Sequence, residues 1–209
     1  MRSKVTTPPA IEPVTLDELK ASLRITSNAE DTLLAQYIED ARHLVERTTG
    51  RKLINQTITT YYTGFTGSVS SQWWTGTMTS HENILYGNQH LELEFAPVQS
   101  VTTLEQVEDD NSENLIASSE YYLDNYDDDM RSVICAVSTL TYGSRDENNM
   151  KAVYVAGYGA NASDVPSALR RAVLVLAGQL YSNRGDCGDE CQTSCGAKSM
   201  MEPYIIKRA

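Results

Sequence analysis

TLDELKASLRITSNAEDTLLAQYIEDARHLVERTTG, residues 15 to 50, carries the start and stop signals of two helices and decides the fold class. Thr15 with Glu18 three residues later is a capping box, in which the hydroxyl takes a free amide of the first turn and the carboxylate reaches back. A short helix through about Leu23 follows. Ser27 with Glu30, or Asn28 with Asp31, repeats the signal. Leu34, Ile38, Ala41, Val45 and Thr48 then recur at spacings of three and four, one narrow apolar stripe. Gly50 stands where a left-handed terminal residue is needed, and Arg47, Arg51 and Lys52 place positive charge near the negative end of the helix dipole. Roughly 20 helical residues span about 30 Å, and a rod of that length with an apolar edge needs partners.

The chain has 209 residues, 41% of them hydrophobic and 22% charged, values of a folded protein rather than a disordered one. The length suits one substantial core, so the chain reads as one domain with an insertion. Net charge is -11, and its distribution is uneven. Between Leu53 and Met130 there is no Lys or Arg, and that middle holds all the acids from Glu82 to Asp129. A groove that grips nucleic acid needs clustered cations, and most of this chain has none; an acidic surface past which DNA slides fits better. Met1 to Pro13 lacks the apolar run of a secretory signal and reads as an arm. No apolar segment approaches the roughly 20 residues that cross a bilayer, and four cysteines need not be paired in a reducing cytoplasm.

After Gly50 the period changes. Leu53 to Tyr62 reads as a strand, and residues 63–83 as a Gly/Ser/Thr loop around Trp73 and Trp74. Either one Trp folds back to cap the sheet, or the pair anchors a neighbouring subunit. Leu91 to Phe95, Val98 to Val107, Tyr121 to Leu123, Val133 to Val137 and Met150 to Ala156 read as further strands, with acidic turns at Glu108 to Asn114 and Asp124 to Asp129. Strands joined by turns without intervening helices imply antiparallel pairing. Asp164 or Val165 with Pro166 opens a third helix, with Leu169, Ala172, Val173, Leu176, Ala177 and Leu180 on its apolar face, and Gly185 ends it. The boundaries are then an arm at 1–13, a helical hairpin at 14–52, a β-rich insertion at 53–163, the third helix at 164–185 and an extended tail at 186–209. Met200, Met201, Pro203, Tyr204, Ile205 and Ile206 make that tail apolar, which points to another chain as its partner.

Cys187, Cys191 and Cys195 are spaced by four. A zinc site needs a fourth ligand, and Cys135 is far off in sequence; a metal, a disulfide and plain free thiols all remain open. Patterns for catalysis fail in turn. His81-Glu82 lacks the second His of a zinc protease, no Gly-x-Ser-x-Gly elbow occurs, and Gly157-Tyr158-Gly159 reads as a turn. His43 reads as a surface residue. The acidic turns lack the spacing of a calcium loop and read as solvated rims. Nothing here marks an enzyme or a cofactor site.

An ordered set of residues resembles a known family: Pro13-Val14-Thr15-Leu16-Asp17-Glu18-Leu19-Lys20 with Leu23-Arg24, Glu30-Asp31 through Ala41, and Val45-Glu46 to Thr49-Gly50-Arg51. Ala96-Pro97-Val98, Ser100-Val101, Gly157-Tyr158-Gly159, Val165-Pro166, Ala168-Leu169, Ala172, Tyr181, Asn183-Arg184 and the late Pro203-Tyr204 complete it. The set, over about residues 12–185, is similar to the head-tail connector (adaptor, head-completion) proteins of tailed bacteriophages. The resemblance implies an α+β fold, a small helical bundle with an antiparallel β insertion between its second and third helices. It also implies a homo-oligomeric ring, usually of twelve subunits, in the neck of the virion. That ring would meet the portal above and a neck or tail-completion protein below, with genomic DNA passing through without sequence-specific binding. The loop at 63–83 and the cysteine tail at 186–198 depart from the pattern. Expected contact residues are Trp73, Trp74, Met200, Met201, Pro203, Tyr204, Ile205 and Ile206. The alternatives are a Cys-dependent metal-binding or redox module on Cys187, Cys191 and Cys195, or a different neck or tail-completion ring protein.

Overall fold

Apolar residues at helical spacing in two stretches and at alternating spacing between them build a helical unit and a sheet unit from one chain. The computed structural model describes residues 2–63, 90–125, 132–137, 140–141, 143–184 and 195–206. The helical unit comprises residues 8–56, 95–99 and 156–209, and the sheet unit residues 1–7, 57–94 and 100–155.

In the helical unit, α1 (Leu16–Leu23) starts on the expected capping box: the Glu18 amide donates to Thr15 Oγ1 and the Thr15 amide to Glu18 Oε2 at 2.8 Å. Thr15→Ala is expected to destabilise this unit by about 1 kcal/mol, read by urea unfolding; an unchanged midpoint would show the cap to be dispensable. α1 ends with Arg24 in the left-handed region. α2 (Asp31–Thr49) begins one residue after Glu30, which makes no side-chain cap. Ser27, expected to cap it, instead accepts from the Ala29 amide in the turn before it. Gly50 ends α2 at φ +73°, as the sequence implies.

The buried stripe of α2 is wider than expected. Leu34, Ile38, Ala41 and Val45 are buried, but so are Arg42, Glu46 and Thr49, whereas Thr48 is exposed and bonds back to the Leu44 carbonyl. Ahead of the third helix, a 3-10 turn at Ala162–Asp164 is capped reciprocally by Asn161 and Asp164. α3 (Ser167–Ser182) then starts after Pro166 and buries Leu169, Ala172, Val173, Leu176 and Ala177. It packs on α2 and α1. The α3 side chain Arg170 donates to the Pro13 carbonyl and to Glu18, while Tyr181 and Arg184 both donate to Glu30 at the start of α2. Tyr37 meets Tyr181 edge-on, with centroids 6.5 Å apart.

The tail is not extended where it is described. Residues Cys195–Met201 form α4, followed by a 3-10 turn at Glu202–Tyr204, and α4 packs against α3. Ala197 and Met201 join the helical core. Of the apolar residues that pointed to a foreign partner, Met201 lies in the chain's own core and Met200 and Tyr204 pack against it, while Pro203 and Ile205 stay exposed.

In the sheet unit, β2 (Gln56–Tyr62) and β8 (Met150–Ala156) both alternate buried and half-buried along their length. β2 starts later than expected because Leu53 and Ile54 belong to the helical core. β1 (Arg2–Thr7) takes the place of the expected arm and pairs antiparallel with β2. With β4 (Val98–Val107) and β5 (Glu113–Leu115) they form a sheet in the order β1-β2-β8-β4-β5. A second sheet has the order β3-β7-β6, from β3 (His90–Glu92), β6 (Tyr121–Asp124) and β7 (Val133–Ala136), paired antiparallel. One face of it is buried through Leu91, Ile134 and Ala136.

Several carboxylates are held below their ordinary 4.5: Glu18 first by the Thr15 amide, Glu30 by Arg184 and then Tyr181, Glu108 by the Ser144 hydroxyl and amide. Groups with depressed folded pKa contribute stability that is complete above the ordinary value and is lost as pH falls through the folded one. Thermal midpoints are therefore expected to drop progressively below about pH 5; a flat profile down to strong acid would contradict these bonds. At the alkaline end, burial alone would lower Lys151, but the Glu105 and Glu113 carboxylates at 2.8 and 2.7 Å outweigh it and raise it from 10.5 to about 12. Its contribution persists below 10.5 and is lost as pH rises through about 12.

Candidate functional site

Charged side chains are almost never fully buried unless paired, so the place where a fold buries several of them stands out. In the helical unit, that place is a buried charged knot at the end of α2. Glu46, 2% exposed, accepts from the Leu53 amide at 3.1 Å, Gln56 Nε2 at 2.8 Å and Lys52 Nζ at 3.0 Å. Arg42, equally buried, donates through Nε to Glu12 at 2.8 Å, and its Nη1 lies 3.6 Å from Glu46, close enough for ion pairing but not for a hydrogen bond. Lys52 also stands 4.6 Å from the centre of the Phe95 ring. One carboxylate on the last turns of α2 thus fastens the chain as it leaves the helix for β2.

The chain's last described residues are seated on the same helix end. The Ile206 amide donates to the Thr49 carbonyl at 3.0 Å, satisfying one of the acceptors a helix terminus leaves open. Arg51 Nε donates to the Tyr204 carbonyl at 2.7 Å. A Cβ at Gly50 would meet Ile206 Cδ1 at 3.4 Å, about an ordinary contact, so it is the left-handed backbone rather than space that calls for glycine here.

This geometry sorts the expected contact residues. Met201 and Ile206 are buried in the chain's own core, Met200 and Tyr204 are half-buried, and Pro203 and Ile205 are exposed. Trp73, Trp74, Cys187 and Cys191 lie outside the described residues, as does the side chain of Cys195. Among the described residues, no group of three or more His, Cys, Asp or Glu is placed to hold a metal ion. Glu108 and Asp110 in the acidic turn are occupied by Ser144 and by the Ser112 amide. The sequence reading missed Val5, Ile11, Leu115, Tyr122 and Val137, all exposed. Only alternation along β7 hinted at the last, since Val133, Cys135 and Val137 fall on one side of it.

The knot, the α1–α2 hairpin and the strand that leaves it form a continuous piece of sequence, and that piece is recognisable. Residues 13–91 match the family of phage gp6-like head-tail connector proteins. The matched segment begins at Pro13, whose carbonyl Arg170 holds, and ends at Leu91 in β3. The chain as a whole is similar in fold to chains of solved particles. A chain in the virion of a native gene transfer agent particle superposes with a TM-score of 0.78 at 24% identity, covering 100% of this chain and 97% of that one. A chain in the neck of the empty particle, computed with C6 symmetry, gives 0.77 at 23%, and one in the neck of the native particle, computed with C12 symmetry, gives 0.68 at 22%, with the same coverage. No curated protein matches. Among the described residues no helix is long and apolar enough to cross a membrane.

Proposed function

We propose that this chain is a structural head-tail connector of a tailed phage or phage-like particle, a ring component that sits under the portal, continues the DNA channel and joins head to tail. What carries the reading is the connector segment together with a fold shared over the whole chain with neck components. A ring of twelve is supported by the C12 symmetry of one such neck, and the C6 of another is compatible with it. Genomic DNA would pass without being gripped, in keeping with a net charge of -11 and a middle without cations. The proposal includes no catalytic step. Portal contact falls to the exposed part of the C-terminal segment, Pro203 and Ile205, flanked by Met200 and Tyr204.

Particles assembled without this protein test the reading. The expected product is DNA-filled heads that lack tails, restored by adding the purified chain. Tailed, infectious particles formed in its absence would overturn it.

A further inference from the structure

The three-stranded sheet has one face turned away from its buried side chains, and register identifies what stands on it. Cys135 is flanked by His90 and Tyr122, and Val133 by Glu92 and Asp124. Val137, one step on, donates its amide to the Glu120 carbonyl. An apolar stripe along β7 therefore lies between strands that carry carboxylates. Tyr122 is 50% and Val137 65% exposed, large values for side chains of this kind clustered on one face.

The opposite chemistry stands elsewhere on the same unit. β1 is an edge strand, exposed along nearly its whole length, and register puts Arg2 and Lys4 on the face shared with Tyr61 and Thr59, away from the buried Ile58 and Thr60 of its partner strand. It carries no acidic residue. Two different surfaces of complementary charge are what a head-to-tail ring contact requires, whereas a twofold dimer pairs a patch with itself.

We propose that the outer face of the β3-β7-β6 sheet receives the Arg2 and Lys4 face of β1 of a second copy beside Tyr122 and Val137, with Arg2 and Lys4 toward Glu92, Glu120 and Asp124. This rests on the ring reading above and names the surfaces that would close the ring. Because its charges are exposed, the contact weakens as salt rises.

A photoactivatable benzoylphenylalanine in place of Val137, in an equal mixture of isotopically light and heavy chains, tests it. Mixed-isotope cross-links to residues 2–11 are expected, reduced about tenfold by the double change Arg2→Glu and Lys4→Glu in chains whose circular dichroism is unchanged. Assemblies that form but cross-link position 137 to some other segment, or that ignore the charge reversal, overturn this contact and leave the ring standing. Chains that neither associate by mass at any concentration nor cross-link in particles overturn the contact and the ring reading together.

Discussion

Glu46→Ala is expected to lower the free energy of unfolding by about 3–5 kcal/mol, because it takes the carboxylate from buried Lys52 and leaves buried Arg42 to lean on Glu12. In the folded chain the carboxylate answers Lys52, lies near Arg42 and accepts from the Leu53 amide and Gln56. Without it, among the described residues Lys52 keeps its position over Phe95 but has no carboxylate, and a buried amide loses its acceptor, each costly in a dry interior. Glu46→Gln keeps an acceptor for the amide but removes the charge, so it should fall between wild type and Ala. Urea unfolding measures both. A loss under about 1 kcal/mol for Glu46→Ala would mean that water or rearrangement replaces the carboxylate, and that the knot does not hold the hairpin.

Ending the chain before Cys195 should cost about 3–6 kcal/mol, since Met201 and Ile206 each contribute about 1.5–3 kcal/mol by burial. The helical unit would also lose the Ile206 bond that closes α2 and the Arg51 bond to Tyr204. A truncated chain as stable as the full one would show that the segment merely rests on the core. Loss of portal binding by such a truncation would mix two causes. Ile205→Asp separates them: at 37% exposure it should change stability by no more than about 0.5 kcal/mol, and weakened portal binding would then report docking itself.

The parts of this fold that were legible from sequence are those whose local signals act alone. Thr15 with Glu18, Gly50 and the alternation from Met150 to Ala156 each specify structure within a few residues, and each is found in place. β1 was read as an arm because RSKVTT, an exposed edge with one apolar residue, shows no buried period; its order comes from β2, more than fifty residues away. Arg42 and Glu46 were passed over for a similar reason. Charged residues on a helix are ordinarily solvated, and it is the return of Lys52, Leu53, Gln56 and Glu12 to the same place that makes their burial tolerable. The tail's apolar residues were noticed, but composition does not say whether their cover is α3 or a foreign surface. The outer sheet face escaped because register, not spacing along the chain, brings Tyr122 beside Cys135.

The seating of Ile206 on Thr49 and Gly50 joins two parts of the chain about 150 residues apart at one helix end. Contacts of such separation close slowly because the loop between them must first be ordered, so in refolding α1 and α2 are expected to gain helicity before the core they share with Met201 is complete.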